Sequence, residues 1–297
     1  MDSPTVPTGQ PNFWRRRRTR QQAQRLATYG VLILLSLIFL APFYWMVSTA
    51  FKEPDLIYKS PPVWIPPRLT LENFEHGLRL MLPSFQALFL NSVVVTSLTI
   101  VGVLFSSSLV GFAFAIFPGR GKRLLFLLVL STLMIPPAVT LIPQFILFTE
   151  LGWRDSYLPL VAPYFFASAF FVFMFRQFFA AIPRDLFDSA EIDGCSALGL
   201  YFRIAVPLSK PVFATAAIFA FLGAWNDLLN PLIYLNDMTK FTMTLGLSNF
   251  QGSGSAPFTR IEYLMPMALL ALIPILILFF LAQKYFVRGI VTTGMKG

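Results

Sequence analysis

Six stretches of this chain are apolar almost without interruption, at 27–48, 88–114, 124–147, 158–175, 211–232 and 263–282, and Asp227 is the one acid inside them. A bilayer hydrocarbon core about 30 Å thick is crossed by roughly 20 residues of α-helix, and each stretch is close to that length. Strands of a membrane barrel need only ~10 residues and alternate apolar with polar, which these runs do not. Backbone amides in hydrocarbon must be paired within the segment itself, so the runs predict helices. The expected fold class is therefore all-α, a polytopic membrane protein with six transmembrane helices. Composition agrees: 56% of residues are hydrophobic and 12% charged, about half the charge of an ordinary soluble domain.

The basic residues set the expected orientation. Arg15, Arg16, Arg17, Arg18, Arg20 and Arg25 precede the first run, and such clusters stay on the cytoplasmic side. With six crossings, the inner pieces also hold Arg120, Lys122 and Arg123, then Arg176, Arg184, Arg203 and Lys210, then Lys284, Arg288 and Lys296. That places 16 of the 23 basic residues inside and both termini in the cytoplasm, in a multi-pass protein of the inner, or cytoplasmic, membrane. The net charge of +9 is thus topological, and nucleic acid is not an expected partner, whereas membrane lipid is. The first run exceeds the 7–15 apolar residues of a signal peptide and is expected to remain as an anchor. A single cysteine, Cys195, and a single histidine, His76, exclude an internal disulfide and a histidine metal cluster.

The expected organisation is a basic cytoplasmic tail at 1–26, a first transmembrane helix at 27–50, an external loop at 51–87, a core of five transmembrane helices at 88–283 and a cytoplasmic tail at 284–297. Pro61, Pro62, Pro66 and Pro67 mark the external loop. The first twelve residues have no apolar period and read as disordered. No internal repeat is evident.

The cytoplasmic loop at 183–207 is too patterned for a linker. Pro183 suits a helix start, Asp185 and Asp188 favour its first turns, and Gly194 can take the left-handed conformation that closes it. Ser196 can cap a second short helix, which Pro207 should end. Leu186 and Ala190 lie one turn apart on the first helix. Two short helices meeting at a glycine make an elbow that can dock in a partner's groove and pass a rigid-body movement to the flanking spans.

Here the sequence resembles the permease subunits of binding-protein-dependent ABC importers, whose loop reads Glu-Ala-Ala, three residues, Gly, nine residues, Ile, one residue, Leu-Pro. Asp188, Ser189 and Ala190 fill the first places, Gly194 follows at the family spacing, and Ile204, Ala205, Val206 and Pro207 follow after nine more. Asp for Glu, Ser for Ala and Val for Leu are the departures. The resemblance implies the type I importer permease fold and an ATPase-coupling role for Asp188, Ser189, Ala190, Gly194, Ile204 and Pro207. It also implies as partners a second permease subunit, two ATP-binding cassette subunits and an extracytoplasmic sugar-binding protein. No cofactor is expected in this chain, since Gly119-Arg120-Gly121-Lys122 lacks the spacing of a phosphate-binding loop and ATP would be bound by the partners.

The segment from Leu222 to Leu232 and the tail with Gln283 and Gly294-Met295-Lys296-Gly297 resemble carbohydrate-importer permeases related to the second maltose permease. A sugar, whether a mono- or oligosaccharide or a related polyol or glycoside, is the implied substrate. A charge in hydrocarbon costs at least ~2.5 kcal/mol, so Asp227 must be paired or wet. Counted along a continuous helix from Pro211 it falls in the outer half of the membrane. Trp225, Asn226 and Asp227 offer the aromatic face and hydrogen-bonding groups that a sugar needs, and are candidate path-lining residues. Helix packing, or holding the helix end near Asn230 and Pro231, is the other reading of the same three. A permease for a non-sugar solute and an ion-coupled carrier are the alternative functions; the latter should show more intramembrane charge and paired broken helices.

Overall fold

The computed structural model describes residues 13–252 and 261–293. Residues 1–12, 253–260 and 294–297, Arg260 among them, lie outside the described residues, as do the side chains of the 15–20 arginine cluster and of residues 284–293. Every regular element among the described residues is a helix. The chain divides between Asn73 and Phe74 into two compact units, each taken by itself.

In the first unit, α1 (Phe13–Ala50) is a single helix of 38 residues. Its 24–50 portion is long and apolar enough to cross a membrane; residues 24–44 are exposed, and only its end at Ser48, Thr49 and Ala50 is buried. An apolar helix exposed all round is stable in lipid and unstable in water. The segment after it folds back through α2 (Pro54–Ile57). Ser48 Oγ donates to the Trp64 carbonyl at 2.6 Å, the Trp45 and Trp64 rings meet edge to face at 5.2 Å, and Asn73 Nδ2 donates to the Lys52 carbonyl at 2.6 Å. Lys52, which the sequence places in the outer loop, has no solvent exposure, and its ammonium lies 3.9 Å from the centre of the Trp45 ring. Burial pushes its pKa down, and the ring's negative face is what offsets the lost hydration.

The second unit opens within α3 (Glu72–Leu80). The next span joins α4 (Phe85–Gly102), a π-helical turn at Val103–Ser107 and α5 (Ser108–Ile116). Then follow α6 (Lys122–Ser131), a 3-10 turn at Thr132–Met134 and α7 (Pro137–Glu150). The fourth span is α8 (Leu158–Val161), a 3-10 segment at Ala162–Phe166 and α9 (Ala169–Phe179). Beyond it lie α10 (Arg184–Ile192), α11 (Ala197–Leu200), a second π turn at Tyr201–Ala205 and α12 (Val206–Leu208). The chain finishes with α13 (Lys210–Trp225), α14 (Leu229–Tyr234), α15 (Met243–Gly252) and α16 (Ile261–Thr293).

Among the described residues four helical stretches are long and apolar enough to span, and two bent pairs bring the number to six if each counts as one span. The bends are departures from the straight spans expected. The run at 124–147 turns by 98° between Met134 and Pro137, because Pro136 and Pro137 lack N–H donors and force Ile135 into extended backbone (φ −80°, ψ 116°). The segment that includes the run at 211–232 bends by 82° at Ser209.

α5 packs along α9. A Cβ on Gly111 would stand 2.7 Å from Phe175 Cβ, 3.0 Å from Arg176 N and 3.1 Å from the Val172 carbonyl, so only glycine lets the two backbones approach this closely. The core that results, from Val103, Phe112, Phe171, Phe175 and Phe179, extends to residues of the elbow. Replacing Gly111 with leucine should therefore cost about 1–3 kcal/mol by overpacking and lower the melting temperature of the detergent-purified protein. Gly30→Ala, where an added Cβ meets nothing within 4 Å, should leave it unchanged or slightly raised.

Candidate functional site

Residues 184–208 form the elbow, and its corner is a complete Schellman motif. The Cys195 amide donates to the Ala190 carbonyl at 2.9 Å and the Gly194 amide to the Glu191 carbonyl at 2.9 Å. Gly194 has φ +80°, and an added Cβ there would meet nothing within 4 Å, so the requirement for glycine is one of backbone conformation alone. Ser196 caps α11, its Oγ accepting from the Gly199 amide at 3.2 Å. Pro207 does not end the second helix as expected, since the chain stays helical to Leu208 and breaks at Ser209. In the π turn before it the Val206 amide reaches back to the Tyr201 carbonyl, and this wider register leaves space for the proline ring.

The elbow has two faces of opposite character. On the inner face Phe187, Leu200, Tyr201 and Ala205 are buried, with 2%, 1%, 4% and 0% exposure. Phe112 of α5 is the common aromatic partner of Phe187 and Tyr201: its ring lies 6.1 Å from Phe187, 5.4 Å from Tyr201 and 5.7 Å from Phe179 of α9. The Tyr201 hydroxyl and Ser108 Oγ share a hydrogen bond of 2.6 Å. Ile204 is half-buried against the same cluster. Ala190 is half-buried against that cluster as well, whereas on the outer face Asp188, Ser189, Gly194 and Pro207 are exposed. Asp185, Glu191 and Asp193 are exposed beside Asp188, and none of the four acids forms an ion pair among the described residues. Leu186, Leu198 and Ile192, the last 87% exposed, stand among these acids. Sequence reasoning singled out Leu186 and Ala190 and passed over Phe187; its position three residues before Ala190, on the same side of the helix, was the available signal.

The second candidate group does not come together as one surface. α13 stops at Trp225, so Asp227 does not sit on a continuous helix as expected. Asn226 leaves the helix with its Nδ2 donating to the Leu222 carbonyl at 2.9 Å. The Asp227 carboxylate accepts from the Asn230 amide at 3.2 Å and from Asn230 Nδ2 at 2.8 Å, holding the start of α14. Short polar side chains compete for backbone groups in this way and favour helix ends. Trp225 is buried, stacked 5.3 Å from Phe221 and edge-on to Phe89 at 5.8 Å, with Nε1 donating to the Ala271 carbonyl at 3.3 Å. Asn226 is exposed and Asp227 half-buried.

At the far end of the fourth span from the elbow, a polar clamp not anticipated from sequence ties two loops. Asp155 adopts φ +54° and its carboxylate accepts from the Asn236 and Asp237 amides at 3.0 and 2.9 Å and from Lys240 Nζ at 3.0 Å. The backbone donors of Asp237 and Asn236, followed by Lys240, hold its pKa down at about 2. The Asp237 carboxyl is lowered too, chiefly by Thr239, and Lys240 is raised by Asp155.

Comparison with known proteins places this geometry. Residues 107–292 match the family described as binding-protein-dependent transport system inner membrane component. The arabinooligosaccharides transport system permease protein AraQ of Bacillus subtilis (strain 168) is 34% identical over 276 residues, covering 92% of this chain and 96% of that one. The sn-glycerol-3-phosphate transport system permease protein UgpE of Yersinia pestis bv. Antiqua (strain Antiqua) is 32% identical over 265 residues, 88% of this chain and 94% of that one. Among solved structures, a chain of a bacterial ABC transporter involved in the import of the acidic polysaccharide alginate superposes with a TM-score of 0.81 at 18% identity, covering 96% of this chain and 100% of that one. A chain of the alginate transporter in complex with an alginate pentasaccharide-bound periplasmic protein gives 0.66 at 13% identity, covering 92% and 96%.

Two outcomes follow from the elbow and the clamp. Gly194→Val should destabilise the corner by about 1–2 kcal/mol through the left-handed backbone alone, and Gly194→Asn should recover most of it; faster hydrogen exchange at the Cys195 amide in the valine variant alone checks this. Because the folded pKa of Asp155 lies below that of a free carboxyl, the clamp's stabilisation is fully present above pH ~4 and is lost as pH falls through about 2. Asp155→Asn should open both loops to protease at neutral pH and abolish that acid dependence.

Proposed function

This chain belongs to the family of binding-protein-dependent transport system inner membrane components, and we propose that its elbow at 184–208 is the joint through which separate ATPase subunits drive solute across the membrane. The chain is a transport permease of the inner membrane. The proposed assembly pairs it with a second permease subunit, two ATP-binding cassette subunits that bind and hydrolyse the ATP, and an extracytoplasmic solute-binding protein. Both termini lie in the cytoplasm in this reading, supported by the distribution of basic residues.

One observation carries the proposal: the elbow is buried into the span core on one side and bare on the other. A lever must be rigid where it meets the load and open where it meets the motor. The Phe112 contacts to Phe187, Tyr201 and Phe179 supply the first. Asp188 with its neighbouring acids, together with Leu186, Ile192 and Leu198, supplies the second. An apolar knob ringed by unpaired carboxylates suits a groove on the ATPase with an apolar floor and a basic rim. Gly194 keeps the angle between the helices, Ala190 packs the first helix onto the inner cluster while Ser189 Oγ donates back to the Asp185 carbonyl, and Ile204 and Pro207 set the register of the second.

The substrate class is a sugar or related polyol derivative, supported by the relatives that serve arabinooligosaccharides and sn-glycerol-3-phosphate and by the alginate importers of the same fold. Of Trp225, Asn226 and Asp227, Asn226 is the residue whose exposure frees an amide oxygen for a passing hydroxyl; Trp225 and Asp227 fix its place.

The test separates the two faces. Ile192→Arg should remove the knob and reduce copurification of the ATPase while membrane insertion continues. Phe187→Ala, a core truncation of roughly 3–5 kcal/mol, should leave ATPase binding largely intact yet lower sugar uptake by tenfold or more, on the order of 1.4 kcal/mol of lost coupling. Normal uptake by both variants in a strain lacking the wild-type chain would sink the proposal.

A further inference from the structure

Beside the elbow, at the same end of the spans, the ends of α5 and α9 and the start of α6 enclose a cleft of about 430 Å³ lined by Phe114, Gly119, Lys122, Arg123, Phe126 and Arg176. Three of its six lining residues are cations. None of them is ion-paired with a carboxylate among the described residues. Arg184, the first residue of α10, and Arg176 both act electrostatically on the Lys122 ammonium and both repel it. The cleft is therefore a concentration of like charge with no carboxylate paired to it among the described residues.

Topology alone does not explain that arrangement. Basic residues that only fix orientation are free to splay into water, where repulsion is small. Here two of the cations are held in place. Arg176 lies over the Phe126 ring with its carbon 4.5 Å from the ring centre, and Phe126 is itself packed on Phe114 at 5.3 Å. Lys122 is half-buried and donates one hydrogen bond to the Phe117 carbonyl at 2.6 Å, which leaves its other two N–H donors unspent. α6 starts at the cleft with no side chain capping its first turn, so its positive end adds to the field.

We infer that this cleft binds the phosphate of an anionic phospholipid headgroup. Lys122, Arg123 and Arg176 would surround the phosphate oxygens, for which a guanidinium and an ammonium are suited donors. The same helix continues away from the cleft with an apolar surface: Leu124, Leu125, Leu127 and Leu128 are 62%, 56%, 53% and 55% exposed. Acyl chains can lie along these leucines while the headgroup stays in the cleft, and a soluble anion would have no use for them. Basic pockets between transmembrane helices are a general form of lipid-headgroup site. Because Arg184 opens α10, a bound phosphate also relieves repulsion at the root of the elbow.

The full-length chain in detergent is exposed to phosphatidylglycerol or phosphatidylcholine, and retained lipid is measured by native mass spectrometry. The wild-type chain is expected to hold phosphatidylglycerol in preference. Lys122→Gln combined with Arg176→Gln should weaken that preference roughly thirtyfold, from two surface charges. Lys122→Arg with Arg176→Lys, which keeps both charges, should preserve it and so separate charge from folding. Equal retention by the wild-type and glutamine variants overturns the inference. Displacement of the lipid by millimolar inorganic phosphate also overturns it, assigning the cleft to a small soluble anion.

Discussion

Hydrocarbon offers no hydrogen bonds, so every departure from regular helix within the spans has to bring its own partner. The second and fourth spans meet this constraint jointly. The π turn at Val103–Ser107 faces the point where the fourth span gives up its helix between Phe166 and Ala169. Ser106 Oγ donates to the Tyr164 carbonyl at 2.8 Å and accepts from the Ala167 amide at 3.2 Å, and Ser107 Oγ accepts from the Ser168 amide at 3.1 Å. One irregularity repairs the other. The strained Ala167, at φ +64°, is held where it is by these bonds. Two spans stitched in this way, and brought close at Gly111, form a single body within the second unit.

That rigidity is what gives the elbow a mechanical meaning. A short exposed helix such as α10 would be marginal alone. Its Phe187 enters the same aromatic cluster that holds α5 to α9, and Tyr201 enters it from the second helix and bonds to Ser108. A force on the exposed acids or on Ile192 thus arrives at Phe112, in the middle of the stitched pair, with no flexible chain between. The 82° turn at Ser209 then passes the load into α13. Movement at the corner itself is resisted by the two Schellman bonds about Gly194.

How much of this could be read in the sequence follows from the range of the forces involved. The apolar runs and the elbow's corner were legible because both depend on local chemistry: hydropathy over ~20 residues, and the demands of Pro183, Gly194 and Ser196 on their own backbone. The bend at Pro136 and Pro137 carried a local signal in its paired prolines that the hydropathy of the run concealed. The end of α13 at Trp225 was equally local, since Asn226 and Asp227 both favour helix ends, and holding the helix end near Asn230 was one of the two readings that these residues carried. The two π turns, the positive φ of Ala167 and the burial of Lys52 on Trp45 were not legible. Each is decided by a partner distant in sequence or on a separate element, and neither propensity nor periodicity records such partners. Asp155 belongs with these, because its carboxylate meets backbone donors some eighty residues later, at Asn236 and Asp237.

The distribution of polar chemistry along the spans now has a physical logic. At the clamp end, opposite charges are brought together: Asp155 with Lys240, braced by backbone donors, closes two loops onto one another. At the elbow end, charges are kept apart by sign. Among the described residues, acids without a salt-bridge partner lie on the exposed face of α10, and cations without a carboxylate partner gather in the cleft beside it. The proposed joint and the proposed lipid cleft draw on these two sets separately, the acidic face suiting a basic partner and the basic cleft an anionic one.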